Sequence, residues 1–129
     1  KIFIKKTNFL AVTKKNNQNY FVGSNGNLIL TKNYDDNLPF IFGDIEPNYF
    51  LKLKDLIDNS EIEFDQIKNF YFFKSKRWDI ETKNNLIVKL PLNEIETSLN
   101  YLSKIIISEK FNDVKLIDLR QKNQIILND

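Results

Sequence analysis

Apolar and polar residues alternate most regularly in residues 76–90, KRWDIETKNNLIVKL. This period of two predicts a β-hairpin with one apolar face. A two-residue loop would mix the apolar and polar faces of the two strands, whereas a three-residue loop at Lys83-Asn84-Asn85 keeps them apart. Asn85 is expected to be left-handed, because asparagine tolerates a positive φ. The register that follows pairs Trp78 with Leu90, Ile80 with Val88, Thr82 with Leu86 and, on the polar face, Asp79 with Lys89.

Shorter alternating segments predict more strands on both sides of this hairpin. Asn25-Gly26 is a strong turn signal, since both residues accept a positive φ. Gln66–Lys74 is rich in aromatic residues and is expected to be a central strand. Pro39 restricts the apolar segment Leu38–Gly43 to a sheet edge or to an irregular approach to the core. The other predicted strands are Ile2–Lys5, Phe9–Thr13, Tyr20–Gly23, Leu28–Leu30 and a region beginning at Ile62.

Two segments have helical spacing instead. Pro47 suits the first turn of the first helix. Asn93 can cap the second helix, with Glu96 reaching back to complete a capping box. Hairpins combined with two helices predict an α+β domain, in which both helices pack on a mostly antiparallel sheet built from hairpins. The apolar stripes are Phe50, Leu53 and Ile57 in the first helix and Ile95, Leu99, Leu102 and Ile106 in the second.

The region Val114–Leu127 predicts a second hairpin. Its last strand, Gln124–Asn128, is expected to have an outer edge without a partner in this sequence. The free N–H and C=O groups of such an edge are a template on which another extended chain can pair. The pairs that a loop at residues 121–123 predicts are Leu119 with Ile125 and Ile117 with Leu127.

Composition narrows the range of functions. The 129 residues, 42% of them hydrophobic, suit one folded domain. The 19 basic and 17 acidic residues give a net charge of +2, which is too balanced to favour nucleic-acid binding. Cysteine and histidine are absent, so thiolate metal sites and the most common general base are excluded, and no cofactor is expected. The sequence contains no signal peptide and no apolar run long enough to cross a membrane.

Arginine is rare in a chain that uses lysine almost everywhere. The two arginines are Arg77 and Arg120. A guanidinium is a planar fork that can hold a carboxylate with two hydrogen bonds, which lysine cannot do. Two explanations stay open from the sequence, an internal ion pair and a contact with a partner.

An ordered set of short segments resembles the C-terminal half of the bacterial cell-division protein FtsQ, called DivIB in Gram-positive bacteria. Lys1–Lys6 resembles the closing strand of the POTRA module that precedes this region in the family, so residues 1–7 are assigned to that module and residues 8–129 to the FtsQ-like β domain. Thr13 and Gln121 depart from the family, in which tryptophan and an aromatic residue are common at these places. The segments that carry the resemblance are Arg77-Trp78-Asp79, Lys83-Asn84-Asn85, Val88-Lys89-Leu90-Pro91, Ile117-Asp118-Leu119-Arg120, Tyr20-Phe21-Val22 with Gly26, and Leu38-Pro39 with Gly43.

The resemblance implies a non-enzymatic scaffold of the divisome that supports septum formation. In the family the β domain lies on the periplasmic side of the inner membrane, and a single membrane helix outside the present sequence anchors the parent chain. Its implied partners are FtsB and FtsL, with a segment of FtsB adding as a strand to the last strand of the domain. The implied partner-binding residues are Arg77, Arg120, Gln121, Gln124, Ile125, Ile126 and Leu127.

Two other functions stay open. A cell-envelope domain that binds or processes carbohydrate or peptidoglycan could use Tyr71 and Trp78 for stacking and Asp79 and Glu81 for acid–base chemistry. An extracytoplasmic domain with a different protein partner would fit the same fold.

Overall fold

The computed structural model describes residues 8–32, 37–107 and 113–121, together with the backbone of residues 126–128. Within these ranges it contains nine strands, two α-helices and one 3₁₀ turn, Phe64–Gln66. The helices are α1 (Pro47–Asp58) and α2 (Ile95–Ile107). The strands are β1 (Phe9–Lys15), β2 (Gln18–Gly23), β3 (Leu28–Thr31), β4 (Phe40–Phe42), β5 (Ile67–Phe72), β6 (Trp78–Thr82), β7 (Ile87–Lys89), β8 (Leu116–Asp118) and β9 (Ile126–Asn128). The predicted strand Ile2–Lys5 and the assignment of residues 1–7 to a preceding module lie outside the described residues.

The described strands form one sheet in the order β3-β2-β1-β4-β5-β6-β7-β8-β9. Most neighbouring pairs are antiparallel, which confirms the α+β prediction, but β1–β4, β4–β5 and β7–β8 are parallel, so the sheet is mixed. Parallel neighbours need a long crossover connection. Helix α1 lies in the connection from β4 to β5, and α2 lies in the connection from β7 to β8.

The central hairpin has the predicted register. Ile80 is paired with Val88, and Asp79 is paired with Lys89. The three-residue loop is closed by a 2.9 Å hydrogen bond from the Thr82 N–H to the carbonyl of residue 86. Asn85 has a φ of 67°, the left-handed conformation that the prediction required. Local alternation and loop chemistry therefore determine this part of the sheet.

Of the two positions predicted for the segment around Pro39, a sheet edge and an approach to the core, the structure has the second: Ile41 is buried in the core. Strand β4 lies inside the sheet, between β1 and β5. Pro39 stands immediately before β4, where its missing N–H breaks no ladder bond. Its carbonyl accepts a 2.9 Å hydrogen bond from the N–H of Val12 in the neighbouring strand. Strand β5 has the central position that its aromatic sequence predicted.

The core lies between the helices and one face of the sheet. The α1 residues Phe50, Leu53 and Ile57 are buried, as their spacing predicted. The Phe50 ring packs edge-on against Phe70 of β5, with ring centroids 5.1 Å apart. Trp78 of β6 lies 6.0 Å from the same Phe70 ring and is 3% exposed. Because α1 and α2 contact each other, both helices cover this face. No described helix covers the opposite face, which is called the helix-free face below.

Helix α2 differs from the prediction at both ends. Leu99 and Leu102 are buried as expected, but Ile106 is 46% exposed and Ile105 takes its place in the core. At the other end, the first helical hydrogen bond runs from the Ser98 N–H to the carbonyl of Glu94, at 3.2 Å. Glu94 therefore occupies the cap position that the prediction gave to Asn93.

Candidate functional site

Strand β9 is the last strand of the sheet on one side. It pairs with β8, and Ile117 lies opposite Leu127 as predicted. The other predicted pair, Leu119 with Ile125, involves a residue outside the described ranges. No described strand pairs with the outer side of β9. The part of the domain that the structure describes thus has an open edge at its C-terminal strand.

The hydrogen-bonding pattern shows which backbone groups this edge presents. The N–H of Ile87 donates to the carbonyl of Lys115, and the N–H of Leu119 donates to the carbonyl of Lys89, both at 2.9 Å. Odd-numbered residues of β8 therefore bond to β7, and even-numbered ones face β9, because backbone groups alternate along a strand. The pairing of β8 with β9 then leaves the N–H and C=O of Leu127 pointing outward.

An ion pair stands at the end of β8, one strand in from this edge. The Nε and Nη2 atoms of Arg120 donate to the two carboxylate oxygens of Asp118, at 2.9 and 2.6 Å. The backbone N–H of Arg120 donates to the same carboxylate at 3.0 Å. The side chain of Asp118 is 8% exposed, whereas that of Arg120 is 44% exposed. Hydrogen bonds from the Arg120 side chain are the main reason why the pKa of Asp118 lies below its ordinary value.

Arg77 also makes an internal ion pair, but it is held more tightly. Its Nη1 atom lies 2.5 Å from Asp79 and 3.2 Å from the carbonyl of Leu90. The guanidinium carbon is 4.7 Å from the centre of the Phe73 ring. Only 17% of the Arg77 side chain is exposed, so its charge serves first to hold the β6–β7 end of the sheet together.

These charges belong to one cross-strand row on the helix-free face. Asp79, Lys89 and Asp118 are direct neighbours on β6, β7 and β8. Each lies between core residues in sequence, so all three side chains are on the face opposite the helices. Lys89 therefore stands between two carboxylates, and its charge helps to lower the pKa of Asp118.

A second polar group lies on the same face, further from the edge. The Glu81 carboxylate accepts hydrogen bonds from Asn69 at 3.0 Å and from the Tyr71 hydroxyl at 2.9 Å, and it lies 3.5 Å from the Lys68 amine. The hydrogen bond from Asn69 makes the largest contribution to lowering the pKa of Glu81. Burial, followed by the bond to Glu81, raises the pKa of Tyr71. The Glu81 carboxylate therefore has its hydrogen-bond and ion-pair partners within this group.

The structure brings some of the predicted site residues together. Arg120 and Gln121 follow β8, and both are exposed. Arg77 lies at the same end of the sheet but three strands from the edge. Ile126 and Leu127 form the start and middle of β9, whereas Gln124 and Ile125 lie outside the described residues.

Asp118 was not predicted from the sequence as a member of this site. A signal was present, because Asp118 and Arg120 have opposite charges two positions apart, as Arg77 and Asp79 do. Residues two apart in a strand share one face, so such pairs are in reach of each other. The internal pairing of both arginines was one of the two explanations left open.

The described ranges contain no candidate metal site and no candidate membrane-spanning helix. No group of three or more Asp and Glu residues there is arranged to hold a metal ion. Among the same residues, no helix is long and apolar enough to cross a bilayer.

Comparison with solved structures defines the class of fold. The chain superimposes on the major extracytoplasmic domain of the bacterial cell division protein DivIB from Geobacillus stearothermophilus with a TM-score of 0.54. The match covers 84% of this chain and 98% of that domain, at 12% sequence identity, so it shows a shared fold.

The family follows from the sequence comparison. The model for the family "Cell division protein FtsQ/DivIB, C-terminal" matches residues 11–120. This chain belongs to that family of bacterial cell division proteins, which confirms the resemblance. It is also 41% identical over 51 residues to the FtsQ proteins of Rickettsia prowazekii and Rickettsia conorii. Each match covers 38% of this chain and 19% of the relative, so most of the relative's length lies outside it.

Proposed function

We propose that this domain is a non-enzymatic scaffold of the divisome that binds a partner chain by strand addition at the outer edge of β9. The partner implied by the family is FtsB, paired with FtsL. The observation that supports the proposal is the open edge of β9, with the Arg120–Asp118 ion pair beside it. Backbone hydrogen bonds would supply part of the affinity, and side chains would supply the selectivity.

The free energies involved indicate that side chains have to contribute to the binding affinity. Leu127 is the residue of the described strand whose two backbone groups face outward. Two neutral hydrogen bonds contribute about 1–3 kcal/mol in total. A micromolar complex needs about 8 kcal/mol. Charge-assisted hydrogen bonds to Arg120, at about 1.5–3 kcal/mol, and apolar contacts would supply the difference.

Arg77 is proposed as the second charged residue of the interface, with a different balance of roles. Its contacts to Asp79, Leu90 and Phe73 lie inside the domain. Its truncation is therefore expected to reduce folding stability as well as binding. Truncation of Arg120 removes fewer contacts inside the domain, but it also costs stability, because it leaves the buried Asp118 carboxylate without its ion-pair partner. Gln121, Gln124, Ile125 and Ile126 complete the proposed interface.

We also propose that the parent chain is a single-pass inner-membrane protein and that this domain lies on its periplasmic side. The support is the DivIB domain of the same fold, which is described as extracytoplasmic. The membrane helix of such a parent chain would lie outside the present sequence.

A carbohydrate-binding function is less well supported by the geometry. Trp78 is 3% exposed and packs against Phe50 and Phe70, so no sugar ring can stack on it. Asp79 is paired with Arg77, and Glu81 is occupied by Asn69 and Tyr71. An incubation with peptidoglycan fragments, followed by a search for bound or altered product, would separate this function from the scaffold.

The experiment for strand addition is a titration of the ¹⁵N-labelled domain with an FtsB-like peptide. The expected result is that backbone amide signals of residues 117–128 shift and those of β3 do not. Shifts confined to other regions, with residues 117–128 unchanged, would overturn the proposal. Arg120→Glu is expected to abolish binding. It also leaves the buried Asp118 carboxylate without its ion-pair partner and beside a like charge, so some loss of stability is expected, and a dispersed spectrum is the check that the variant is folded.

A matched pair of variants isolates the backbone contribution. Leu127→Pro removes the outward N–H, and Leu127→Ala keeps it while removing most of the side chain. Proline is tolerated on an edge strand whose N–H faces solvent. We expect Leu127→Pro to weaken peptide binding at least tenfold more than Leu127→Ala does. Equal effects of the two substitutions would show that the peptide does not pair with β9.

A further inference from the structure

The ion pair between Arg120 and Asp118 uses only one side of the guanidinium. A guanidinium has two edges that can each hold a carboxylate, one formed by Nε and one Nη nitrogen and the other by the two Nη nitrogens. Asp118 occupies the first edge through Nε and Nη2. No described residue accepts a hydrogen bond from Nη1, so the second edge is free in this part of the chain.

Asp118 is well suited to fix the orientation of this group. Its side chain is 8% exposed, and it accepts three hydrogen bonds from Arg120, one of them from the backbone N–H. The backbone bond ties the carboxylate to the residue that it orients. Lys89 lies beside Asp118 in the cross-strand row and stabilises its negative charge.

We propose that Asp118 is a positioning residue for partner binding: it holds one edge of the Arg120 guanidinium and thereby presents the other edge to a carboxylate on the strand that pairs with β9. This inference rests on the function proposed above. It assigns the partner a Glu or Asp side chain and makes Arg120 a bridge between two carboxylates.

The distances in a sheet permit this bridge. Asp118 is paired with Ile126 of β9, so an added strand would be the second neighbour of β8. Two strand spacings of about 4.8 Å place that strand roughly 10 Å from β8. Long side chains such as Arg and Glu can meet across this distance. A bridged arrangement also keeps the buried Asp118 carboxylate paired in both the free and the bound domain.

Two alternative roles of Asp118 predict different results. If Asp118 competed with the partner for Arg120, its removal would free the guanidinium and strengthen binding of an acidic peptide. If Asp118 served the fold alone, its removal would weaken binding whether or not Arg120 were present. The sign of the effect and its dependence on Arg120 therefore distinguish the three roles.

The test is a double-mutant cycle with the FtsB-like peptide, measured by calorimetric titration. Asp118→Asn keeps an acceptor for the backbone N–H but removes the charge. We expect it to weaken binding by three- to tenfold in the native domain and by less than 1.5-fold in the Arg120→Ala background. Glu81→Gln is the matched control, since it changes the same charge on the same face without contacting Arg120; its expected effect is below 1.5-fold.

A spectroscopic signature completes the test. The sequence contains two arginines, so the side-chain Nε–H region of a ¹⁵N spectrum holds two signals that single variants can assign. We expect the Arg120 Nε–H signal to remain in its Asp118-bonded position when the peptide binds, and to move in Asp118→Asn.

Each outcome has one interpretation. Unchanged or tighter binding of Asp118→Asn would overturn the positioning role, as would an equal loss in the Arg120→Ala background. Displacement of the Arg120 Nε–H signal by the peptide would show that the partner replaces Asp118, which also overturns the role. Absence of any binding by the native domain would instead refute the proposed function itself, and the inference would fall with it.

Discussion

Replacing Gly43 by alanine tests the close approach between the backbones of Gly43, which follows β4, and Phe72 of β5. Gly43 follows β4 and has a φ of 112°, a conformation that side chains rarely adopt. A Cβ on Gly43 would lie 2.3 Å from the carbonyl oxygen of Phe72, at the end of the neighbouring strand β5. The obstacle is backbone, so it cannot move aside as a flexible side chain would.

The expected cost follows from three contributions. The unfavourable φ costs about 1–3 kcal/mol. Separating β4 from β5 enough to relieve the contact leaves a backbone group poorly bonded, which costs about 1–3 kcal/mol more. Alanine also reduces the conformational entropy of the unfolded chain, which offsets about 0.4–1 kcal/mol of this cost. We therefore expect Gly43→Ala to lower the free energy of unfolding by about 3 kcal/mol.

Gly26→Ala is the matched control. Gly26 also has a positive φ, 84°, but a Cβ there would meet only the side chains of Asn48 and Leu51, each at 3.4 Å. Its expected cost is about 1 kcal/mol, from the conformation alone. Urea unfolding followed by circular dichroism measures both values. Equal losses for the two variants would refute the close approach of Gly43 to Phe72.

Three further predictions concern charges and the core. Arg77→Ala should lower the free energy of unfolding by about 3 kcal/mol, because it leaves the buried Asp79 carboxylate unpaired; an unchanged urea midpoint would contradict this. The pKa values of Asp118 and Glu81 are lowered in the folded state, so their contribution to stability is present above pH ~4 and is lost as the pH falls through the pKa values of the folded domain. A free energy of unfolding that does not decline between pH 5 and pH 2 would contradict this. The fluorescence of Trp78 should be blue-shifted and resistant to iodide, and peptidoglycan fragments should leave it unchanged; efficient quenching would show an exposed indole.

The sequence was sufficient to predict elements whose structure depends on near neighbours. The hairpin of β6 and β7 has an alternating pattern and a loop whose length and Asn85 agree with one register. The pairing of Ile117 with Leu127 followed from the same logic. Helix α1 begins at Pro47, as its sequence indicated. In these elements the local preferences and the tertiary contacts favour the same structure.

The position of β4 was not predictable in this way. The crossover through α1 and core packing determine that β4 pairs with β1 and β5. Neither can be inferred from the order of apolar and polar residues in a strand of three residues. The end of α2 shows the same limit. Ile105 and Ile106 are adjacent and equally apolar, so the packing of the whole domain decides which one is buried.

The candidate site was predictable in part. The open edge of β9 followed from the hairpin pattern, and the importance of Arg120 followed from the rarity of arginine and from the family resemblance. The internal bonds of Arg77 were not predictable, because they depend on Leu90 and Phe73, which the fold brings to it.

The most direct test of strand addition is hydrogen exchange at the amide of Leu127, measured with and without the FtsB-like peptide. We expect fast exchange in the free domain, because this N–H faces outward, and strong protection in the complex. The amide of Leu119, which already donates to Lys89 inside the sheet, should be protected in both states. A Leu127 amide that is protected in the free domain, or that continues to exchange freely in a saturated complex, would contradict strand addition at the outer edge of β9.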